Sequence, residues 1–275
     1  MENTITFKKN EFQTFLDTLE FISNSNECMS IFDGRMLQVS NGNKALFDVD
    51  FSSLIGSNDI MLSQILYRFK ILNLSENEDE IKLTIEENQN ATRYIFEDST
   101  SKIIFYKAHE KMVKNSNNYD RELINNKTLD LDEDAKIGSI TIDEKSIKKI
   151  RSYAKLSESA MIKLEFEGNN VKFLLSPSDS NVGTEIVALI GSIDEKLNGT
   201  VQYPIDAFYA KTGEISLDLF YNKTRDNIWG ILNFSIGDEP KIDCSIHCFS
   251  VIEKDDEDEE EEETDMEFEE MLNDF

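Results

Sequence analysis

The spacing of apolar positions along this chain changes from strand-like to helical several times, and it does so in the same order twice. Each copy opens with a strand-like triplet, at residues 5–7 and again at 140–142, that leads directly into apolar residues spaced for one face of a helix. The helical positions are Phe12, Phe15, Leu16, Leu19 and Ile22 in the first copy and Ile147, Ile150, Tyr153 and Ala154 in the second.

The segments that follow also recur, at offsets of 134 to 141 residues. Strand alternation into a Gly turn occurs at 29–34 and 162–168, and a further alternating run at 45–51 and 186–190. A second helical stretch is predicted at 62–72 and 203–213. Strands follow at 80–85 and 214–219, and closing strands at 93–97, 102–108, 228–236 and 241–249.

Several matches in one order at a nearly constant offset indicate an internal repeat. We therefore predict a first repeat over 1–107, a polar, Asn-rich connector over 108–136, a second repeat over 137–252 and an acidic tail over 253–275.

The formal net charge is −27, and it is unevenly distributed. Residues 253–275 contain 15 acidic residues and one Lys, a net −14, which leaves −13 for the rest. An acidic body is a poor general surface for nucleic acid, although it can still carry a local basic stripe. Three Cys, no signal-peptide pattern and no long apolar window predict a cytoplasmic protein that does not enter a membrane.

This arrangement, two α+β copies with two helices each over antiparallel sheets, resembles the DNA polymerase sliding clamps of the proliferating cell nuclear antigen (PCNA) and T-even phage type. The resemblance covers residues 4–252. Residues 27–51 are similar to the clamp's first hairpin and the loop after it, and residues 75–96 to the strands after the second helix.

The resemblance implies a duplicated clamp domain with sheets outside and helices inside. The acidic C-terminal tail is predicted to be disordered from its own composition, because the charges of residues 253–263 repel one another and the run has no apolar residues to bury. The resemblance further implies a homotrimeric ring around double-stranded DNA that does not read sequence and that tethers DNA polymerase and other replication or transcription proteins. A clamp loader would open the ring. The phage counterparts make a viral protein in a host cell one expectation.

A sliding ring should hold phosphates through diffuse positive charge on its inner helices. The helix predicted at 143–156 fits this, because its basic residues lie largely off the apolar face, although a merely solvated face is the alternative. The first helix fits poorly, because acidic residues counter its lysines, and the last helix offers only Lys211. The predicted DNA-facing residues are Lys145, Lys148, Lys149, Arg151, Lys155, Arg68 and Lys70.

By position in the clamp family, client peptides would dock in a groove near Ala45, Leu129 and Val251. The tail ends in an apolar stripe at helical spacing between acidic residues, which predicts a helix that forms only when docked. It could bind the chain's own groove or another replication protein, or serve only as a solubilising tail. The apolar tail residues are Met266, Phe268, Met271, Leu272 and Phe275.

Candidate chemistry is sparse. Cys244, His247 and Cys248 imitate a zinc site, but in a strand the two Cys point one way and His247 the other, which favours buried small residues. The Asp-rich run at 130–134 lacks the Gly and Glu of a calcium loop. We predict no enzyme activity, no metal and no cofactor.

Two other functions stay open. One is a single-stranded-DNA-binding protein whose acidic tail recruits partners, although the body lacks a dense groove of basic and aromatic residues. The other is a clamp-fold viral transcription factor that does not close into a ring.

Overall fold

The computed structural model describes residues 2–39, 45–75, 78–88, 91–117, 136–157, 161–175, 186–222 and 227–249. Its helices are α1 Lys9–Ser25, α2 Ser52–Ile55, α3 Ile65–Leu72, α4 Glu110–Asn117 and α5 Glu144–Ser157, with 3₁₀ helices at Asn73–Ser75 and Ile205–Tyr209. Its strands are β1 Glu2–Lys8, β2 Cys28–Ile31, β3 Arg35–Val39, β4 Leu46–Asp50, β5 Ile60–Ser63, β6 Glu80–Glu87, β7 Thr92–Glu97, β8 Lys102–Tyr106, β9 Lys136–Asp143, β10 Met161–Leu175, β11 Ile186–Pro204, β12 Glu214–Asn222, β13 Asn227–Ile236 and β14 Ile242–Phe249.

All of the strand pairings are antiparallel. One sheet has the order β1-β6-β7-β8, and the long strands β10 and β11 form a hairpin, as β2 and β5 form a short pair. A six-stranded sheet, β3-β4-β14-β13-β12-β9, contains strands from both copies of the sequence repeat, because β4 pairs with β14 from Asp50 opposite Asp243 to Leu46 opposite His247. The two copies are therefore joined by backbone hydrogen bonds in a shared sheet. This is the predicted α+β class.

Helix α1 forms where the apolar period predicts it. The Glu11 carboxylate accepts the backbone N–H of Lys8 at 2.7 Å, which satisfies one free donor at the start of the helix. The five apolar positions identified from the sequence are all at most 1% exposed. Phe7, Phe12 and Phe15 pack with ring centroids 5.5 to 6.5 Å apart, so the first turns of α1 are anchored on β1.

Four helical segments form a chain of contacts, called the helix row below. Helix α1 contacts α3 and the 3₁₀ helix Ile205–Tyr209, and α5 contacts that same 3₁₀ helix. Because α1 also packs against β6 and β13, the row spans both repeats.

Polar contacts hold the row together. The Lys211 ammonium lies 2.6 Å from Oδ1 of Asp17 and 3.0 Å from Oε2 of Glu20. The Ser25 hydroxyl donates to the Asp206 carboxylate at 3.3 Å. Lys211, the only basic residue of the predicted last helix, is thus engaged in joining the two repeats.

Two predicted elements differ in detail. The helical stretch predicted at 203–213 is only the five-residue 3₁₀ helix Ile205–Tyr209, because Tyr203 and Pro204 still pair with β10 and β12 already begins at Glu214. In the first repeat, α3 begins at Ile65 and not at residue 62, since the chain belongs to β5 up to Ser63 and Gln64 turns it in a left-handed conformation with φ 53°.

Part of the predicted connector is helical. Residues 110–117 form α4, which packs its buried Val113 against β2 and β5, and residues 118–135 lie outside the described part. None of the described helices is both long and apolar enough to cross a membrane.

Candidate nucleic-acid interface

Helix α5 is held by its cap and its apolar face. The Asp143 carboxylate accepts the backbone N–H of Ser146 at 2.7 Å, and hydrogen bonds from Ser146 lower the pKa of Asp143. Ile147, Ile150 and Ala154 are at most 4% exposed and face the core. The remaining face of the helix must therefore point to solvent.

That outer face carries the predicted lysines. Lys145, Lys148, Lys149 and Lys155 are all exposed. The Lys148 ammonium lies 2.6 Å from Oε1 of Glu144, one turn earlier, yet its side chain remains 64% exposed. Three of the lysines surround a shallow hollow of about 440 Å³ beside Tyr153. The face presents mobile cations without a rigid cluster of donors, which suits phosphate contacts that do not depend on sequence.

Arg151 is placed differently from these lysines. It is half-buried, and its guanidinium donates from Nε to the carbonyl oxygen of Phe208 and from a terminal nitrogen to that of Ala210. Burial lowers the pKa of Arg151. Arg151 is therefore committed to joining α5 to the 3₁₀ helix and is a poorer phosphate contact than its sequence position predicts.

The second predicted helix contributes less charge than expected. Arg68 donates from Nε to the carbonyl oxygen of Ser63 at 2.6 Å and lies 4.7 Å above the Phe105 ring, and burial lowers its pKa. Lys70 is exposed on the same helix. Its neighbours Leu66 and Tyr67 are 48% and 62% exposed and border a hollow of about 610 Å³ near the end of α1. This helix shows solvent one lysine and two apolar side chains.

The exposed side of α1 is not basic either. Asp17 and Glu20 are there, each within 3.0 Å of the Lys211 ammonium. Positive charge in the helix row is thus concentrated on α5, in the second repeat.

The predicted partner groove is only partly described. Ala45 is buried, at 3% exposure, directly before β4. Leu129, Val251 and the tail residues Met266, Phe268, Met271, Leu272 and Phe275 lie outside the described residues.

Sequence reasoning missed the burial of His247. As predicted, Cys244 and Cys248 are buried on one face of β14, and burial raises the pKa of both thiols. His247 points the other way but is only 5% exposed, edge-on to the Trp229 ring at 6.0 Å. Neither ring nitrogen has a hydrogen-bond partner among the described residues. Burial lowers its pKa to about 4; Asp48 opposes this shift and Arg35 adds to it.

Two strand edges expose apolar residues, and neither was identified from the sequence. Strand β8 pairs only with β7 among the described strands, and its Ile104 and Tyr106 are 42% and 58% exposed. Among the described strands, residues 186–190 of β11 pair only with β10. Their Val187 and Leu189 side chains are 49% and 65% exposed. The sequence did carry a signal for these edges, because residues 102–106 and 186–190 contain more apolar side chains than a strand with one buried face needs.

No protein-family model and no curated protein sequence matches the chain. Solved structures do. PCNA from Entamoeba histolytica aligns over 90% of this chain and 98% of its own, with a TM-score of 0.58 and 12% identity. The PCNA2–PCNA3 complex from Sulfolobus tokodaii aligns over 90% of this chain and 99% of its own, with a TM-score of 0.56 and 8% identity. A. fulgidus PCNA bound to the C-terminal region of FEN-1 aligns over 93% of this chain and 100% of its own, with a TM-score of 0.56 and 11% identity. Over about nine-tenths of its length, this chain has the fold of the PCNA sliding clamps.

Proposed function

We propose that this protein is a DNA sliding clamp: a ring of identical protomers that encircles duplex DNA and tethers a DNA polymerase and other replication or transcription proteins. The observation that carries the proposal is the basic outer face of α5, which belongs to the helix row of a sliding-clamp fold. The lysines of that face can hold phosphates without reading bases, which is what sliding requires.

Ring closure is proposed from the two strand edges. An exposed, apolar, unpaired edge readily pairs with another chain. The β8 edge of one protomer and the β11 edge of the next would bury Ile104 and Tyr106 against Val187 and Leu189. Because the two edges differ, the contact is head-to-tail, and a closing rotation gives a ring. The S. tokodaii structure, a complex of two PCNA chains, supports association between chains of this fold. By the clamp resemblance we propose a homotrimer.

Client binding is proposed by the same comparison. The A. fulgidus PCNA structure holds a C-terminal region of FEN-1, which supports a peptide groove on this chain as well. We propose that this groove lies around Ala45, Leu129 and Val251, near the buried His247. We expect a clamp loader to place the ring on DNA, and we propose no catalytic role for any residue.

The test is duplex binding by the triple variant Lys145→Gln, Lys149→Gln and Lys155→Gln. We expect affinity to fall by on the order of tenfold or more near 0.1 M salt, and the slope of log affinity against log salt to decrease by about 2.7, or about 0.9 per phosphate contact. Fluorescence anisotropy on a labelled duplex measures both.

The matched control is Lys82→Gln with Lys111→Gln, two exposed lysines on β6 and α4, outside the helix row and outside the strand edges proposed for ring closure. The control variant should bind DNA like the wild type. If the α5 variant keeps the affinity and salt slope of the wild type, α5 does not face DNA and the proposed function loses its support.

A further inference from the structure

Outside α5, much of the positive charge in the described part is already neutralised. Salt bridges join Arg35–Asp48, Lys82–Glu80, Arg93–Glu86, Lys102–Glu97, Lys136–Asp218, Lys172–Glu167 and Lys211–Asp17. Helix α5 contains five basic residues and one acidic residue, a net +4. Its outer face is therefore a distinct positive surface on an acidic body.

The strongest complementary charge belongs to the same chain. The described structure ends at Phe249 in β14, and residues 253–275 carry a net −14. These residues are too acidic to pack against most of a body that is itself at −13. Among the described helices and strands, the lysine face of α5 offers them the most favourable electrostatic contact.

The tail is long enough to reach that face. Twenty-six residues follow Phe249. Fully extended they span roughly 85 Å, and as a flexible coil about 28 Å end to end. Since α5 packs against β9 and β10, and β9 belongs to the same six-stranded sheet as β14, the distance is within this range. Tethering keeps the tail at roughly millimolar effective concentration, enough for a weak ionic contact to be occupied.

We propose that, when no DNA is bound, the acidic tail of residues 253–275 lies along the lysine face of α5 and competes with duplex DNA for it. Carboxylates and phosphates offer lysines the same chemistry, an anionic oxygen acceptor. The contact is ionic, so salt weakens it. The tail contact stands on charge and reach alone, and the competition with DNA rests on the proposed function.

The first experiment uses no DNA. Lysines of the intact chain are acetylated at low salt and the rates are read by mass spectrometry. The same measurement is made on a full-length variant with Glu259→Gln, Glu260→Gln, Glu261→Gln, Glu262→Gln and Glu263→Gln. Lys145, Lys149 and Lys155 should react several-fold faster in the variant, while the exposed Lys82 and Lys111 serve as internal references. Equal rates at the α5 lysines in the two proteins overturn the proposal.

A matched variant separates charge from apolar docking. Phe268→Ala with Leu272→Ala removes two residues of the apolar stripe but keeps every acidic residue, so it should protect the α5 lysines as the wild type does. If this variant loses the protection and the glutamine variant keeps it, the tail docks by its apolar stripe in a groove or on a partner, and the electrostatic contact is wrong.

The second experiment measures duplex binding. The glutamine variant should bind DNA more tightly than the wild type, by on the order of tenfold at low salt, with the difference disappearing at high salt. Equal affinities of the wild type and the glutamine variant at low salt overturn the competition. Protection of the α5 lysines in a protein that binds no duplex at all would overturn the proposed function and leave the tail contact standing.

Discussion

At the scale of single residues, His247 is the most unusual group in the shared sheet. It lies on β14 beside Trp229, and Asp48 and Arg35 are the charged residues that act on it from β4 and β3. A neutral imidazole has one donor and one acceptor, and within the part of the chain that the structure describes both are buried without partners. The protonated form is less favourable still, because a charge would be buried.

His247 should therefore make the fold acid-sensitive. Its pKa is about 4 when folded against 6.5 as the ordinary value, so between these values the unfolded chain takes up a proton that the folded chain does not. The contribution of His247 to the free energy of unfolding is fully present above pH 6.5 and is lost as the pH is lowered to 4. This loss amounts to roughly 3 kcal/mol. Urea unfolding at pH 7 and pH 4.5 should show a clearly smaller loss in His247→Leu than in the wild type.

The control for this experiment is His109→Gln, because His109 is the only other histidine and is exposed. It should lose stability with acid as the wild type does. Indistinguishable acid losses in His247→Leu and the wild type would show that His247 protonates in the folded state.

Gly230 offers a second residue-scale prediction. A Cβ at this position would lie 2.1 Å from the Tyr203 hydroxyl oxygen and 3.4 Å from Cγ1 of Val201. Gly230→Ala should therefore destabilise the fold by about 1–3 kcal/mol. The Tyr203 hydroxyl is fully buried and has no hydrogen-bond partner in the described ranges, so Tyr203→Phe should cost nothing and should partly rescue Gly230→Ala. The rescue is tested by comparing the thermal stability of the two single variants with that of the double variant. If the stability changes of the single variants simply add up in the double variant, the proposed clash with the Tyr203 hydroxyl is wrong.

At the scale of elements, periodicity predicted the long helices α1 and α5 well, because their apolar faces are continuous and their first turns are capped. It did worse at 203–213, where apolar residues at helical spacing belong partly to the end of β11 and partly to a 3₁₀ helix. Strand pairing was the missing information: it takes Tyr203 and Pro204, and the remaining residues 205–213 must hold both the helix and the turn into β12, which shortens the helix predicted there.

The strand edges carry the prediction about assembly. Val187→Glu with Leu189→Glu places two charges on the exposed β11 edge, where burial against β8 would leave them without partners. We expect the wild type near three times 31.6 kDa by light scattering and the variant at 31.6 kDa. A variant with the same change in net charge, −2, at one exposed position of β6, Lys82→Glu, should stay assembled.

Circular dichroism of the edge variant should match that of the wild type, because Val187 and Leu189 are not part of the core. A wild-type protein that is monomeric at micromolar concentration would contradict ring closure and favour a clamp-fold protein that acts without a ring.

At the scale of the whole molecule, the sequence predicted the duplication, the α+β class and the basic face of α5, because each rests on a pattern that repeats along the chain. It could not predict that Arg151 and Arg68 bind carbonyl oxygens, since those acceptors come from segments distant or differently folded in the chain. Nor could it predict the burial of His247, which depends on β4 and β13 flanking β14. Local patterns set elements, and tertiary contacts decide which side chains remain available.

The difference between the β8 edge and the β11 edge has a consequence for direction. When unlike edges join head-to-tail, each protomer is related to the next by rotation alone, so all of them point the same way along the axis of the ring. The two rims of such a ring would then be chemically different, and the proposed groove near Ala45 would recur at the same height in every protomer. A ring threaded on DNA in one orientation would present all of its client sites on the rim that faces one end of the duplex. A ring threaded in the opposite orientation would present them on the side that faces the other end.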